Sequence, residues 1–136
     1  MNVPFQDYER VYEELGGIPG WLTYFGFTYS QTRDLGRSLE ETLRYARTLI
    51  TREFENFLKG REGARERYLA VMRTVSDGCA SWGRIKRALE AMEGVSVGDS
   101  QVYNYLQHLL EASWIAKVGD AYCPSEPLIG RAFGEP

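Results

Sequence analysis

The chain has 136 residues, 43% hydrophobic, 26% charged and 13% aromatic, with a formal net charge of −3. This is the composition of one globular domain or two very small ones. No apolar run approaches the ~18 residues of a membrane span. The first residues include Asp7, Glu9, Glu13 and Glu14, not the basic start and apolar centre of a signal peptide. A cytoplasmic protein with no membrane partner is expected. Cys79, Cys123 and the single His108 make neither a disulfide framework nor a metal set, and both cysteines read as small, reduced core residues.

In chain order, Asp7 to Leu15 reads as a short helix with Tyr8, Val11, Tyr12 and Leu15 on one face. Gly16 and Gly17 then permit positive φ, and Pro19 suits the first turn of a second helix through Trp21, Leu22 and Phe25. Such a corner is either a plain helix–turn–helix bend or a place where bare backbone approaches a flat ligand. Thr28 to Asp34 reads as a polar connection. Ser38, with Glu41 three residues on, predicts a capping box for the longest helix. Its buried stripe is Leu39, Leu43, Ala46, Leu49 or Ile50, Phe54, and Phe57 or Leu58. Lys59-Gly60-Arg61-Glu62-Gly63 is a charged, glycine-punctuated hinge and the best boundary, dividing residues 1–60 from 61–136.

Beyond the hinge three shorter helices are predicted. The first spans about Ala64–Ser76, with Tyr68, Leu69, Met72 and Val75 inward. The second starts near Ser81 and runs from Trp82 to Met92, with Trp82, Ile85, Ala88, Leu89 and Met92 inward. The third spans Asp99, as N-cap, to Ser113. Trp114–Val118 and Ala121–Cys123 around Gly119-Asp120 form a two-residue hairpin, which Pro124 and Pro127 end. Three helices and a hairpin are the order of a winged helix, with the third helix as recognition element and the hairpin as wing. The fold class is therefore mainly α, a helical region followed by a winged helix-turn-helix with a small β-hairpin.

Charge is uneven. Residues 59–98 carry eight Lys/Arg against five Asp/Glu, whereas the segments before and after each sum to −3. The outward face of the third helix should carry Ser100, Gln101, Tyr103, Asn104, Gln107 and His108. That face holds no Lys or Arg to neutralise phosphates. Gln101, Asn104 and Gln107 have the chemistry to read bases, and Arg84, Lys86, Arg87 and Lys117 could grip a backbone from the side. A protein partner or intramolecular docking fits the same face, so both readings stay open.

With both halves in view, the chain resembles the C-terminal part of the archaeal ATPase family, a branch of the STAND-type AAA+ proteins. The matching residues are Tyr12-Glu13-Glu14-Leu15-Gly16-Gly17-Ile18-Pro19-Gly20-Trp21-Leu22 and the helix ending Arg52-Glu53-Phe54-Glu55-Asn56-Phe57-Leu58. Further matches are Tyr68–Met72, Trp82–Ile85, Val102–Leu106, Trp114–Lys117 and Tyr122–Leu128, with Ser125-Glu126-Pro127 where an Asp-Pro pair is usual. The resemblance implies a helical lid over residues 1–60 and a winged-helix domain over 61–136, downstream of a nucleotide-binding α/β domain. It also implies that Gly17, Ile18 and Pro19 touch the base or sugar of ATP, supported by Trp21. ATP with magnesium, and the chain's own N-terminal ATPase domain as partner, belong to the parent protein.

No Gly-x-x-x-x-Gly-Lys-Ser/Thr phosphate loop occurs in these 136 residues. The chain is read as a C-terminal fragment, Met1 being a start or an internal methionine, that should not hydrolyse ATP alone. The alternative is a stand-alone winged-helix transcription regulator whose first 58 residues form a dimerisation arm, with Tyr24, Phe25, Phe27 and Tyr29 exposed. Glu13/Glu14 and Glu40/Glu41 point to different helix faces, and an independent enzyme is the weakest reading.

Overall fold

A computed structural model describes residues 5–134. Among these, seven α-helices and three short strands occur in the order α1 (Phe5–Leu15), α2 (Pro19–Thr32), α3 (Leu35–Leu58), α4 (Arg65–Ser76), β1 (Ala80–Ser81), α5 (Trp82–Glu93), α6 (Asp99–Glu111), β2 (Ile115–Val118), β3 (Ala121–Pro124) and α7 (Pro127–Phe133). The strands form one antiparallel sheet in the order β1-β3-β2. Val118 pairs with Ala121 around Gly119-Asp120, so the wing is the two-residue hairpin expected. No helix is long and apolar enough to cross a membrane among the described residues.

The arm departs from the sequence reading at its middle joint. Thr28 to Thr32 continue α2 instead of forming a connection. Two of their hydroxyls are absorbed by the helix backbone: Thr28 Oγ1 donates to the Tyr24 carbonyl and Ser30 Oγ to that of Phe27. Helix α3 then starts one turn early. Its N-cap is Asp34, which accepts from the Arg37 amide at 3.0 Å. Ser38 is therefore not a cap. It is fully buried against Thr32, Oγ to Oγ1 at 2.7 Å, and Glu41 pairs with Arg37 on the outside. The predicted stripe is otherwise found, with Leu39, Ala46, Ile50, Phe54 and Leu58 buried.

In the winged helix, Ser81 caps α5 through the Arg84 amide, and Gly94 ends it in the left-handed region. The N-cap of α6 is Gly98, not Asp99. The Gln101 side chain reaches back to accept from the Gly98 amide at 3.3 Å, while the Asp99 carboxylate turns to Lys86. Met92 is largely exposed, one turn beyond the buried Ile85–Leu89 contact.

The cysteines are not reduced core residues. Cys79 and Cys123 are joined in a disulfide with Cα atoms 4.5 Å apart. The reason lies in the register: β1 pairs Ala80 with Tyr122 and Ser81 with Ala121, which places Cys79 directly across from Cys123. That separation is the one expected for facing residues of a non-hydrogen-bonded antiparallel pair.

Helix α7 follows the wing and returns to the arm, packing on α3 and α4 and touching α1. The sequence reading, which stopped the ordered wing at Pro124 and Pro127, did not contain it. As a result one continuous core runs from Val11, Leu15 and Phe25 through Phe54 and Leu58 to Val71, Leu89, Leu106, Ile115 and Leu128. The 59–63 link is also pinned. Arg61 donates to the Phe57 carbonyl and lies over its ring, and Arg65 makes a two-pronged bond to Glu55.

Candidate functional site

The glycine corner is built by a helix that stops and another that starts within four residues. Gly16 and Gly17 both have φ +68°. The Gly17 amide donates to the Tyr12 carbonyl, and Ile18 takes the N-cap position ahead of Pro19. Crowding adds to the dihedral demand. A methyl group on Gly16 would lie 2.6 Å from Cδ of Pro127, and one on Gly17 would lie 2.7 Å from the Tyr12 ring. Gly16→Ala is therefore expected to destabilise the chain by about 1–3 kcal/mol, the range for a non-glycine residue held in a strained backbone region. Denaturant titration measures it, and an unchanged midpoint would contradict the strained corner.

The corner is open on its other side. Pro19 and Gly20 are exposed, and Ile18 is half-buried. Beside it runs a trough of about 530 Å³ walled by Ile18, Trp21, Tyr24 and Phe27 from the corner and α2, and by Tyr45 and Leu49 from α3. The rings are mutually ordered: Tyr24 and Tyr45 lie 4.1 Å apart between centroids, and Trp21 meets Tyr45 edge-on at 6.3 Å. Phe27 is 61% exposed. An adjoining depression shares Tyr24, Tyr45 and Leu49 and adds Glu41, Arg44 and Arg52. The arrangement offers an apolar, aromatic wall for a flat ring, with two cations at its margin.

Sequence reasoning pointed to Ile18 and Trp21 but missed Tyr45 and Leu49. The signal for Tyr45 was present, as an aromatic lying off the buried stripe of α3. Phe25, read as exposed, is fully buried, and Tyr24 and Tyr29 are half-buried. The arm thus presents a narrower aromatic surface than a dimerisation face made of all four.

The second candidate surface is the outward side of α6 with its flanks. Ser100, Tyr103 and Asn104 are exposed, Tyr103 at 57%. Gln101 is exposed but spends its carbonyl on Gly98, and Gln107 is half-buried. His108, read as outward, is exposed yet bonded through Nδ1 to the buried Tyr68 hydroxyl at 2.6 Å. Burial raises the Tyr68 hydroxyl pKa, with Arg61 opposing.

Part of the basic block is spent inside the fold. Lys86 pairs with Asp99 and lies over Trp82. Arg67 binds Glu93 with two nitrogens and donates to Tyr105 at 2.8 Å, stapling α4, α5 and α6 together. The Arg67 guanidinium in turn holds the Glu93 carboxyl below the usual carboxylate range. Among the described residues, Arg84 and Arg87 on α5 and Lys117 on the wing have no ion-pair partner, and Lys117 lies near the Tyr122 ring. With the exposed Arg73 of α4, which has no ion-pair partner either, these are four cations that the helices and wing offer to an anionic surface, while Arg61 is held against Phe57.

Helices α4 to α6 with the sheet define a winged helix-turn-helix protein carrying an N-terminal helical arm. Residues 62–125 match the family model described as the MCM protein C-terminal winged helix-turn-helix domain. The solved structure of a Walker-type ATPase of Pyrococcus abyssi is similar over 98% of this chain, with 32% identity and a TM-score of 0.85. The chain spans 37% of the length of that ATPase. No curated protein matches. The winged helix, and the arm with it, are thus similar to one part of an ATPase.

Proposed function

We propose that the chain is the lid and winged helix of an archaeal ATPase of the STAND type, coupling nucleotide state to the binding of a partner. The observation that carries this reading is the open aromatic trough beside Gly17, Ile18 and Pro19. A nucleotide-binding domain set against the trough would bring an adenine ring to Ile18, Trp21 and Tyr45, where packing and backbone contact suffice. Among the described residues no cluster of carboxylate, histidine or cysteine side chains is arranged for a metal ion. In this reading ATP phosphates and magnesium rest on that other domain, and this chain supplies the wall facing the base.

For the winged helix, the four cations without ion-pair partners, Arg73, Arg84, Arg87 and Lys117, all lie off the outward face of α6 and give weak attraction to a duplex there, because affinity rises with each phosphate neutralised. Ser100, Tyr103 and Asn104 flanked by Arg84 and Arg87 suit a protein surface better, so the reading takes a protein partner. Duplex binding that falls steeply with added salt would replace it with DNA.

The test of the lid is nucleotide affinity in the chain joined to a Walker-type nucleotide-binding domain. Phe27→Ala trims the wall and Pro19→Ala alters the exposed corner beside it, neither touching the core, and each is expected to weaken ATP about tenfold, about 1.4 kcal/mol. Affinity indifferent to both substitutions would remove the lid from the binding site.

A further inference from the structure

Trp21 belongs to two surfaces at once. Its ring walls the trough, and its indole Nε1 donates to Glu126 Oε1 at 2.8 Å across 105 residues of sequence. Glu126 is the N-cap residue of α7, yet its carboxylate does not cap that helix. It is turned outward to the arm. The residue before it is tied the other way: the Ser125 amide donates to the Trp114 carbonyl at 3.1 Å, and Ser125 Oγ donates to the Ser113 carbonyl at 2.6 Å. Ser113 and Trp114 are the exit of the recognition helix and the entry to the wing, with the Trp114 amide bonded back to Leu109. Pro127, next along, closes on Gly16. Arg131 of α7 pairs with Glu14 at 3.2 Å and accepts from Arg47 through its carbonyl.

We propose that the Trp21–Glu126 hydrogen bond is the coupling element between the trough and the winged helix. It would make the corner, the segment 125–127 and the end of α6 move as one body. The covalent link at residues 59–63 would then be a tether and not the route of transmission. That a ligand occupies the trough rests on the function proposed above; the mechanical link stands or falls without one.

The bond joins an N–H to a carboxylate in a half-buried site, the stronger class of hydrogen bond, for which a tenfold effect is ordinary. Amide hydrogen exchange in the whole chain reads it locally. Trp21→Phe and Glu126→Ala are each expected to speed exchange at residues 113–118 about tenfold relative to the buried amides of Ile85 and Leu89, which report global opening. Glu126→Gln keeps an acceptor oxygen and is expected to restore most of the protection. The double variant Trp21→Phe/Glu126→Ala is expected to exchange no faster than the faster single one, because both remove the same bond. Unchanged exchange at 113–118, additive effects, or an equal rise at Ile85 and Leu89 would each overturn the proposal. Failure of the nucleotide reading looks different: in the protein joined to its nucleotide-binding domain, ATP would leave exchange at residues 18–27 unmoved while the Trp21→Phe result persisted.

Discussion

Cleaving the Cys79–Cys123 bond is expected to lower the free energy of unfolding by about 4 kcal/mol at 25 °C. The cross-link spans 44 residues, and the chain-entropy relation for a loop of that size gives about this value. The enclosed loop contains α5, α6, β2 and most of β3, which is the whole recognition unit with its wing. Without the bond, β1 is held to β3 by a two-residue ladder alone, too short to secure that loop by itself. Urea titration of the oxidised chain, the chain in dithiothreitol and the Cys79→Ser/Cys123→Ser variant measures the loss. The reduced chain and the variant should agree, since both free the same denatured ensemble. Identical midpoints with and without reductant would mean that the bond adds nothing in solution.

The same disulfide shows where the sequence stopped being legible. Cysteines 44 residues apart carry no pairing signal of their own. They are made neighbours by β1, whose two residues are too few for any alternation to reveal. The long stripe of α3, helices α4 to α6 and the Gly119-Asp120 hairpin were readable, because each combines a clear period with turn residues at its ends. Helix α7 was not: its seven residues start at Pro127, three after Pro124, and contacts with α3, α4 and α1 hold it, none of them local in sequence. The N-caps slipped from Asp34 to Ser38 and from Gly98 to Asp99 because several cap-forming residues lie within one turn of each other. Helix α2 is apolar nearly all round, so periodicity did not say whether Phe25 or Phe27 faces the core. The trough combines both difficulties. Ile18 and Trp21 announce themselves beside the glycine corner, whereas Tyr45 and Leu49 join them only when α3 lies along α2.

Phe54→Ala is expected to cost about 3–5 kcal/mol, the range for emptying a buried aromatic site that cannot fully collapse. The position is 2% exposed, and its ring meets those of Trp114 at 5.0 Å and Phe133 at 4.8 Å edge-on, with Phe57 stacked at 5.5 Å. Those partners come from the entry to the wing, from α7 and from α3 itself, so the cavity would open where the arm meets the winged helix. Phe54→Leu refills much of the volume and should recover a good part of the loss. The manner of unfolding matters as much as the amount. If residues 1–60 were a separately folding unit, Phe54→Ala would melt the arm and leave the winged helix standing, giving two transitions. A core that runs through Phe54 into Trp114 and Phe133 requires one transition, shifted as a whole, with tryptophan fluorescence and far-ultraviolet circular dichroism coinciding. A loss below about 1 kcal/mol, the level of an ordinary surface change, or an arm signal that melts ahead of the rest would show that the two parts are merely in contact. A single shifted transition would mean that whatever strains the glycine corner is resisted by the recognition helix as well. A rigid connection between the two surfaces needs that property.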